Sequence, residues 1–399
     1  MKNNFLSKVI ILASGAAGAQ AISLIVMPLV TRIYTPVAIG ELSLFTTIIA
    51  LFFIFVSLGL TPAIIVVDDA QEARNICSFI FFVSCFLMVL LMLLILIAGV
   101  FIESDVFLFI ENNFFIIVIA TITLVLFNIY KQYAIRYQKF KKISKSILVQ
   151  SLANNFLKLG LGLLFPFSKI LLLSYILSYI VNCLLIKEKV IEFLRYKDFG
   201  YIFCKHIDYP KFRMPQMFIN SLSEALPIIY LTQFYGLKAV GIYSLSRLTL
   251  GAPIMILGQS ISDIFISRFA RVRNKKEYLN VTLFLAVVGC LISIFINLFG
   301  ERIYGFVFGD NWVLSGTYAA WISFWMLSYL FSRPAVSAIA VLNFQRGFLI
   351  FEIFSVALKI ISLYLGYFFF KDALMSIIFF SLTSMVLYLF LSFLIYRKI

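Results

Sequence analysis

Four basic side chains stand where a lipid-embedded chain has least use for charge. Lys158, Arg247, Arg333 and Lys359 each fall inside a long apolar run. At a bilayer centre each costs about 2.5–3.5 kcal/mol on insertion scales, so four unpaired cations would cost roughly 10–14 kcal/mol. That is comparable with the whole stability of a typical protein, about 5–15 kcal/mol. Such groups must face a wet cavity or a counter-charge. Carboxylates are scarcer at the same depth: Glu224 is central in its run, while Asp263 and Glu352 lie nearer the ends of theirs. The positive surplus suits an anionic ligand such as a phosphate or diphosphate, with Arg offering a bidentate fork and Lys a point charge.

Each residue also has a plainer reading. Lys359 follows Glu352 by seven residues, two turns along one helix face, which allows a structural pair. Arg333 precedes Pro334 and has the reach to snorkel toward water. Arg32 ends the first run, either as an interface anchor or at a cavity mouth. Asp263 reads as a cap or a snorkelling group at the inner face. Glu224 is either an ion-coupling carboxylate, exchanging a proton or a sodium ion, or a fixed counter-ion to Arg247 on the next run.

Enzyme signatures are missing from the sequence: there is no Walker A, no G-x-S-x-G and no H-E-x-x-H. The single histidine, His206, lies in a polar loop, and five cysteines show no C-x-x-C or zinc spacing. Asp68-Asp69, with Glu72 and Arg74, reads as a solvated turn. No cofactor or metal is expected. Transport without an ATP motif must draw on an ion gradient, the membrane potential or the substrate gradient.

The elements that position these residues follow from composition. Of 399 residues, 63% are AVILMFWYC and 13% are DEKR. A soluble domain is about 45–50% apolar with Gly counted, and about 25% charged. A soluble enzyme, a disordered chain and a DNA-binding domain are thereby excluded, and the net charge of +15 points to no nucleic acid. The expected fold is an all-α polytopic membrane protein. Twelve runs are long enough to span a bilayer: 9–31, 39–67, 76–100, 114–135, 146–165, 170–187, 215–235, 240–267, 278–299, 318–341, 348–370 and 374–395. The first, 23 residues long, exceeds the 7–15 of a signal-peptide core and reads as a retained span. With the N-terminus inside, strict alternation places 24 Lys and Arg in cytoplasmic segments. Five fall outside: Arg32, Lys169, Lys238, Arg302 and Lys371. This split predicts a bacterial inner-membrane protein with both termini cytoplasmic. The basic loops either set topology alone or also contact anionic membrane lipids.

The longest polar stretch, 188–214, marks the midpoint. It divides the chain into a six-helix lobe at 1–187, a cytoplasmic linker, and a second six-helix lobe at 215–399. A faint repeat agrees. Pro28 is followed by Gly40-Glu41-Leu42-Ser43-Leu44, and Pro227 by Gly241-Ile242-Tyr243-Ser244-Leu245. A six-span offset is even, so the halves form a parallel pseudo-repeat, an arrangement in which substrate sites lie between repeats. Pro28, Gly59 to Pro62, Pro227, Gly251 to Pro253, Gly258 and Pro334 interrupt spans and favour bending round a cavity. Ser14 with Gly18, and Ala17 with Ala21, form small-x-x-x-small pairs for close helix contact.

Several segments resemble a known family. Pro28-Leu-Val-Thr-Arg-Ile-Tyr-Thr-Pro36, followed by Gly40 and Ser43-Leu44, is similar to the start of Wzx-type oligosaccharide flippases. Ser57-Leu-Gly-Leu60 with Ala63, Tyr137-x-Lys-Phe140 and Lys158-Leu-Gly160 fit as well. So do Tyr209-Pro-Lys-Phe212, Gly241-Ile-Tyr243, Leu248 through Pro253, Gln259-Ser260, Phe265 and Arg268. The resemblance runs over nearly the whole chain, most clearly at 12–66 and 209–271. It implies the multidrug/oligosaccharidyl-lipid/polysaccharide exporter superfamily, with two six-helix lobes in a V around a cationic cavity. It further implies movement of undecaprenyl-diphosphate-linked oligosaccharide units from the cytoplasmic to the periplasmic leaflet, as in O-antigen and lipopolysaccharide biosynthesis, and contact with polysaccharide-assembly proteins. Arg32 matches the family's Pro-Leu-x-x-Arg position, and Arg247 falls in the eighth span, where related lipid flippases carry a cavity arginine. The Val67-Asp68-Asp69 turn departs from the pattern, since many relatives have Arg or Pro there. On this reading Arg247 and Lys158, with Arg333 or Lys359, contact the diphosphate, and Glu224 couples the cycle to protons or sodium. Competing readings are a multidrug exporter of the same fold, a membrane-embedded polymerase or glycosyltransferase, and a scaffold.

Overall fold

A computed structural model describes residues 2–101, 103–191, 196–269, 272–342 and 344–399. Among the described residues there are fifteen α-helices and no strand. The helices group into two compact units. One holds Met1–Tyr34 and Glu41–Ser221; the other holds Thr35–Gly40 and Leu222–Ile399.

The first unit is built from α1 (Lys2–Ile33), most of α2 (Pro36–Val56), α3 (Ala63–Val66), α4 (Ala70–Phe101), α5 (Asp105–Asn112), α6 (Phe114–Arg136), α7 (Phe140–Leu164), α8 (Ser168–Ile186) and α9 (Tyr196–Lys205). The run expected at 39–67 ends early. Leu58 and Gly59 take φ values of 51° and 64°, and Pro62 follows, so α2 stops and the short α3 restarts the chain. The freed carbonyl of Val56 accepts a hydrogen bond from Ser84 Oγ at 2.9 Å. Asp69 caps α4 through the backbone N–H groups of Glu72 (2.9 Å) and Gln71 (3.2 Å). Those two bonds, Glu72 first, hold the Asp69 carboxyl below its ordinary range. Arg136 closes the same turn by donating to the carbonyls of Ile64 (3.2 Å) and Asp68 (2.7 Å).

Helices α1 and α7 meet along a seam of small and neutral polar residues. Gly15 lies so close to Ser144 that a Cβ there would sit 2.1 Å from its Oγ. Ser151 Oγ donates to the Ala19 carbonyl at 2.8 Å, and Ser23 and Ser151 hydroxyls lie 3.3 Å apart. Asn155 Nδ2 reaches the Ser151 carbonyl at 2.8 Å, and Tyr34 Oη donates to the Lys158 carbonyl at 2.9 Å. The contact line therefore runs Gly15, Ala19, Ser23. Of the Ser14/Gly18 pair expected from sequence, Gly18 faces α7, where a Cβ would meet Leu148 Cδ2 at 3.0 Å, whereas Ser14 is exposed. Hydrogen-bond partners 128–132 residues away select the register, and spacing alone does not.

The stretch expected as a linker carries α9, whose Phe199 packs on Phe79 and Phe82 of α4 at ring distances of 5.6 and 6.4 Å. Lys205 Nζ and His206 Nε2 then meet Glu72 at 2.8 and 3.0 Å. A one-turn π-helix at Tyr209–Arg213 leads on to the next helix.

The second unit is built from most of α10 (Met214–Phe269), α11 (Lys275–Phe308), α12 (Val313–Phe331), α13 (Arg333–Val341), α14 (Gln345–Phe370) and α15 (Ala373–Lys398). A straight 56-residue helix would reach about 84 Å, far beyond a hydrocarbon core of about 30 Å. Instead α10 turns back at Gly236, which has φ 75° and ψ 175°. Arg247 consequently reaches Glu224, 23 residues earlier, at 3.0 Å. The run expected at 318–341 divides at Ser332, because Pro334 lacks the N–H that a continuous helix needs. Ten helices among the described residues are long and apolar enough to cross a membrane. Two arms of α10, counted separately, and the α12–α13 pair bring the spans to twelve.

The repeat read from sequence is visible as a reciprocal contact, both sides of which lie in the second unit. A Cβ on Gly40 would fall 1.9 Å from the Leu237 carbonyl oxygen, and a Cβ on Gly241 would fall 1.8 Å from that of Pro36. The offsets are equal (237 − 36 = 201 and 241 − 40 = 201), so each glycine meets the repeat-mate of the other's partner.

Candidate functional site: a cation cluster in the second unit

The bend at Gly236 lays the two arms of α10 side by side, and the site forms between them. From the first arm come Ser223 and Glu224; from the second comes Arg247. Arg247 donates to the Glu224 carboxylate at 3.0 Å and to its backbone carbonyl at 3.2 Å. The pair remains accessible, with side-chain exposures of 25% for Arg247 and 54% for Glu224. The guanidinium also lies 5.9 Å from the centre of the Trp325 ring on α12. That contact is favourable because the ring face carries negative charge density.

Lys359 of α14 is 5% exposed. Its ammonium donates to Ser223 Oγ at 2.9 Å and lies 5.6 Å from the Tyr388 ring centre on α15. Among the described residues it forms no ion pair. The Glu352 pairing that the seven-residue spacing allowed does not form. The two side chains are two turns apart, and α10 presents Ser223 much nearer. Glu224 and Glu352 both still act on Lys359 electrostatically across the cluster. Arg333 opens α13 with its guanidinium 3.5 Å from the Tyr329 ring centre, and Nε donates to the Tyr329 carbonyl at 3.3 Å. Its stem packs over Gly258, where a Cβ would meet Arg333 Cγ at 3.2 Å. Tyr329 in turn meets Tyr388 edge-on at 6.1 Å. The second unit thus brings together Arg247, Arg333, Lys359, Glu224 and Glu352.

The other expected residues lie elsewhere. Lys158 is partly buried on α7 in the first unit and makes no ion pair among the described residues. Arg32 is exposed in the last turn of α1. The Asp263 side chain lies outside the described residues. No three His, Cys, Asp or Glu side chains converge on a point among the described residues.

Sequence reading missed the neutral members. Ser223 was legible only as the neighbour of Glu224. Trp325, Tyr329 and Tyr388 are aromatic residues in apolar runs, indistinguishable there from ordinary packing. Two buried polar atoms beside the cluster lack a partner, Trp325 Nε1 and Tyr243 Oη, and Tyr243 is within electrostatic reach of both Arg247 and Glu224.

A family model described as "Polysaccharide biosynthesis protein" matches residues 29–316. The chain belongs to this family. The matched region of this polysaccharide biosynthesis protein holds Arg32, Lys158, Glu224 and Arg247, whereas Arg333, Glu352 and Lys359 lie beyond it. A comparison with curated protein sequences finds no match. Solved structures share the fold. An inward-facing multidrug resistance MATE family transporter of the MOP superfamily matches with a TM-score of 0.66 and 14% identity. The alignment covers 97% of this chain and 93% of that one. The lipid II flippase MurJ, in an inward closed conformation, matches with a TM-score of 0.73 and 12% identity over 96% and 87%. A MOP superfamily transporter from Pyrococcus furiosus, described as having a binding pocket of reversed polarity, gives 0.62 and 13% over 98% and 94%. The polysaccharide biosynthesis protein is therefore a multi-pass membrane protein with the MOP-superfamily transporter fold, a fold of transporters and flippases.

Proposed function

We propose that this chain is an alternating-access flippase for undecaprenyl-diphosphate-linked oligosaccharide units. It carries them from the cytoplasmic to the periplasmic leaflet of a bacterial inner membrane, with both chain termini cytoplasmic. The observation that carries the reading is Arg247, an accessible guanidinium inside a membrane-spanning helix, within a cluster of three cations. Maintaining such a cluster in a membrane is unfavourable unless a ligand or a counter-charge completes it. A diphosphate supplies two linked anionic groups, and a guanidinium binds one of them bidentately. Arg333 extends the positive field of the cluster. The polyprenyl tail stays in lipid while the glycan travels with the headgroup. Glu224 couples the cycle to protons or sodium.

The reading is tested in reconstituted vesicles with a fluorescent lipid-linked oligosaccharide. Neutralising Arg247 abolishes translocation on this account; unchanged translocation would reject the site. A second reading, export of cationic drugs, draws on the higher exposure of Glu224 than of Arg247. The same vesicles distinguish it, because a drug exporter would acidify or alkalinise the lumen on addition of a cationic dye and ignore the lipid.

A further inference from the structure

The second unit holds one accessible carboxylate between two cations of unequal exposure. Glu224 is hydrogen-bonded to Arg247, yet the residue before it, Ser223, is the hydrogen-bond partner of the Lys359 ammonium. Lys359 is 5% exposed, so a ligand of any size cannot reach it, while Arg247 at 25% remains open. An ammonium has three donors and one full charge, and here a neutral hydroxyl is its hydrogen-bond partner. Unpaired buried charge is strongly unfavourable. Glu224 already acts on Lys359 electrostatically from its place on Arg247.

Resting on the diphosphate reading, we propose that Glu224 is a displaceable counter-ion that passes from Arg247 to Lys359 when a phosphate oxyanion takes Arg247. At rest Glu224 and Arg247 neutralise each other and Lys359 is left uncompensated. With the anion bound, the anion neutralises Arg247 and the freed carboxylate neutralises Lys359. No charge is created or stranded, and the incoming anion completes the balance of the cluster. Lys359 is on this account a positioning residue for the carboxylate and not a ligand for the diphosphate. Glu352 and Tyr388 also face Lys359: Glu352 acts on it electrostatically, but less than Glu224 does, and Tyr388 offers its ring.

The test is pyrophosphate binding to the purified full-length chain, by calorimetry, in a double-mutant cycle. Glu224→Gln removes the competitor and tightens pyrophosphate about tenfold, Lys359→Met weakens it about tenfold in the native background, and Lys359→Met is silent once Glu224→Gln is present. Ser223→Ala releases the ammonium from its resting partner and tightens binding about threefold, opposite in sign to Lys359→Met. That variant keeps the test decisive if Lys359→Met fails to fold. Equal weakening by Lys359→Met in both backgrounds would make Lys359 a direct ligand and overturn the proposal. So would no weakening in either background, or weaker binding in Ser223→Ala. Pyrophosphate affinity that ignores Arg247→Gln overturns the diphosphate reading itself, and the proposal with it.

Discussion

The α1–α7 seam of the first unit and the α10–α14 cluster of the second are both polar and both within the membrane spans, yet they are built differently. Along the seam, Ser23, Ser151 and Asn155 satisfy one another and nearby carbonyls at 2.8–3.4 Å, all with neutral groups. In the cluster, an accessible ion pair stands beside a buried ammonium held by a serine, and indole and phenol donors are left unpartnered. Neutral hydrogen bonds between membrane helices contribute about 0.6 kcal/mol each and fix packing. Charges at the same depth are several times more costly and are retained where something must bind or move. The difference separates what holds this protein together from what it works with.

The comparison breaks most visibly at Arg247. Arg247→Gln is expected to lower translocation by at least about tenfold, since it removes charge-assisted hydrogen bonds to the phosphate, each about 1.5–3 kcal/mol. Reconstituted transport reads this directly, while the melting temperature stays close to that of the native chain. Gly241→Ala comes next. Its methyl would collide with the Pro36 carbonyl, and overpacking of this kind destabilises by roughly 1–3 kcal/mol. Thermal unfolding in detergent should show the loss, and Gly40→Ala, whose methyl would meet the Leu237 carbonyl, should show a matching one. Ser151→Ala is the converse of the arginine variant. It should lower stability by about 0.6 kcal/mol and leave transport rate near native. A seam variant that abolished transport without unfolding would erase the distinction.

The smallest effect is a pH dependence. Burial alone would raise the Glu188 carboxyl, but hydrogen bonds from Lys139 and Lys142, each at 2.8 Å, hold it below its ordinary value. A depressed carboxyl stabilises the fold above its unfolded-state pKa, and the contribution is lost as pH falls through the folded one. Melting temperature should therefore decline below about pH 4.5 in the native chain and less steeply in Glu188→Gln. Both lysines are well exposed, so solvent screening keeps the difference small.

Much of this was legible in the sequence because it depends on composition and local spacing. Apolar run length located the spans, and charge inside them located Lys158, Arg247, Arg333, Lys359 and Glu224. The Gly40/Gly241 match pointed to two glycines that the structure shows in reciprocal close contacts with Leu237 and Pro36. The role of Glu224 was open in the sequence between ion coupling and a fixed counter-ion to Arg247, and the fold shows it in contact with Arg247. What stayed hidden depends on partners distant along the chain. Ser223 and Lys359 are 136 residues apart, so no local pattern reveals that the ammonium prefers a hydroxyl to Glu352. The face of α1 that meets α7 follows from Ser151 and Asn155, far along the chain. Breaks at Gly236 and Ser332 are visible as Gly and Pro positions, but whether such a residue bends, reverses or merely interrupts a helix depends on what packs against it.

The leaflet location of lipid-linked oligosaccharide units in cells depleted of this protein tests the central claim most directly. Complete units accumulating on the cytoplasmic leaflet, and reaching the periplasm again on re-expression of the native chain but not of Arg247→Gln, are the predicted result. Units that still reach the periplasmic leaflet after depletion would contradict it.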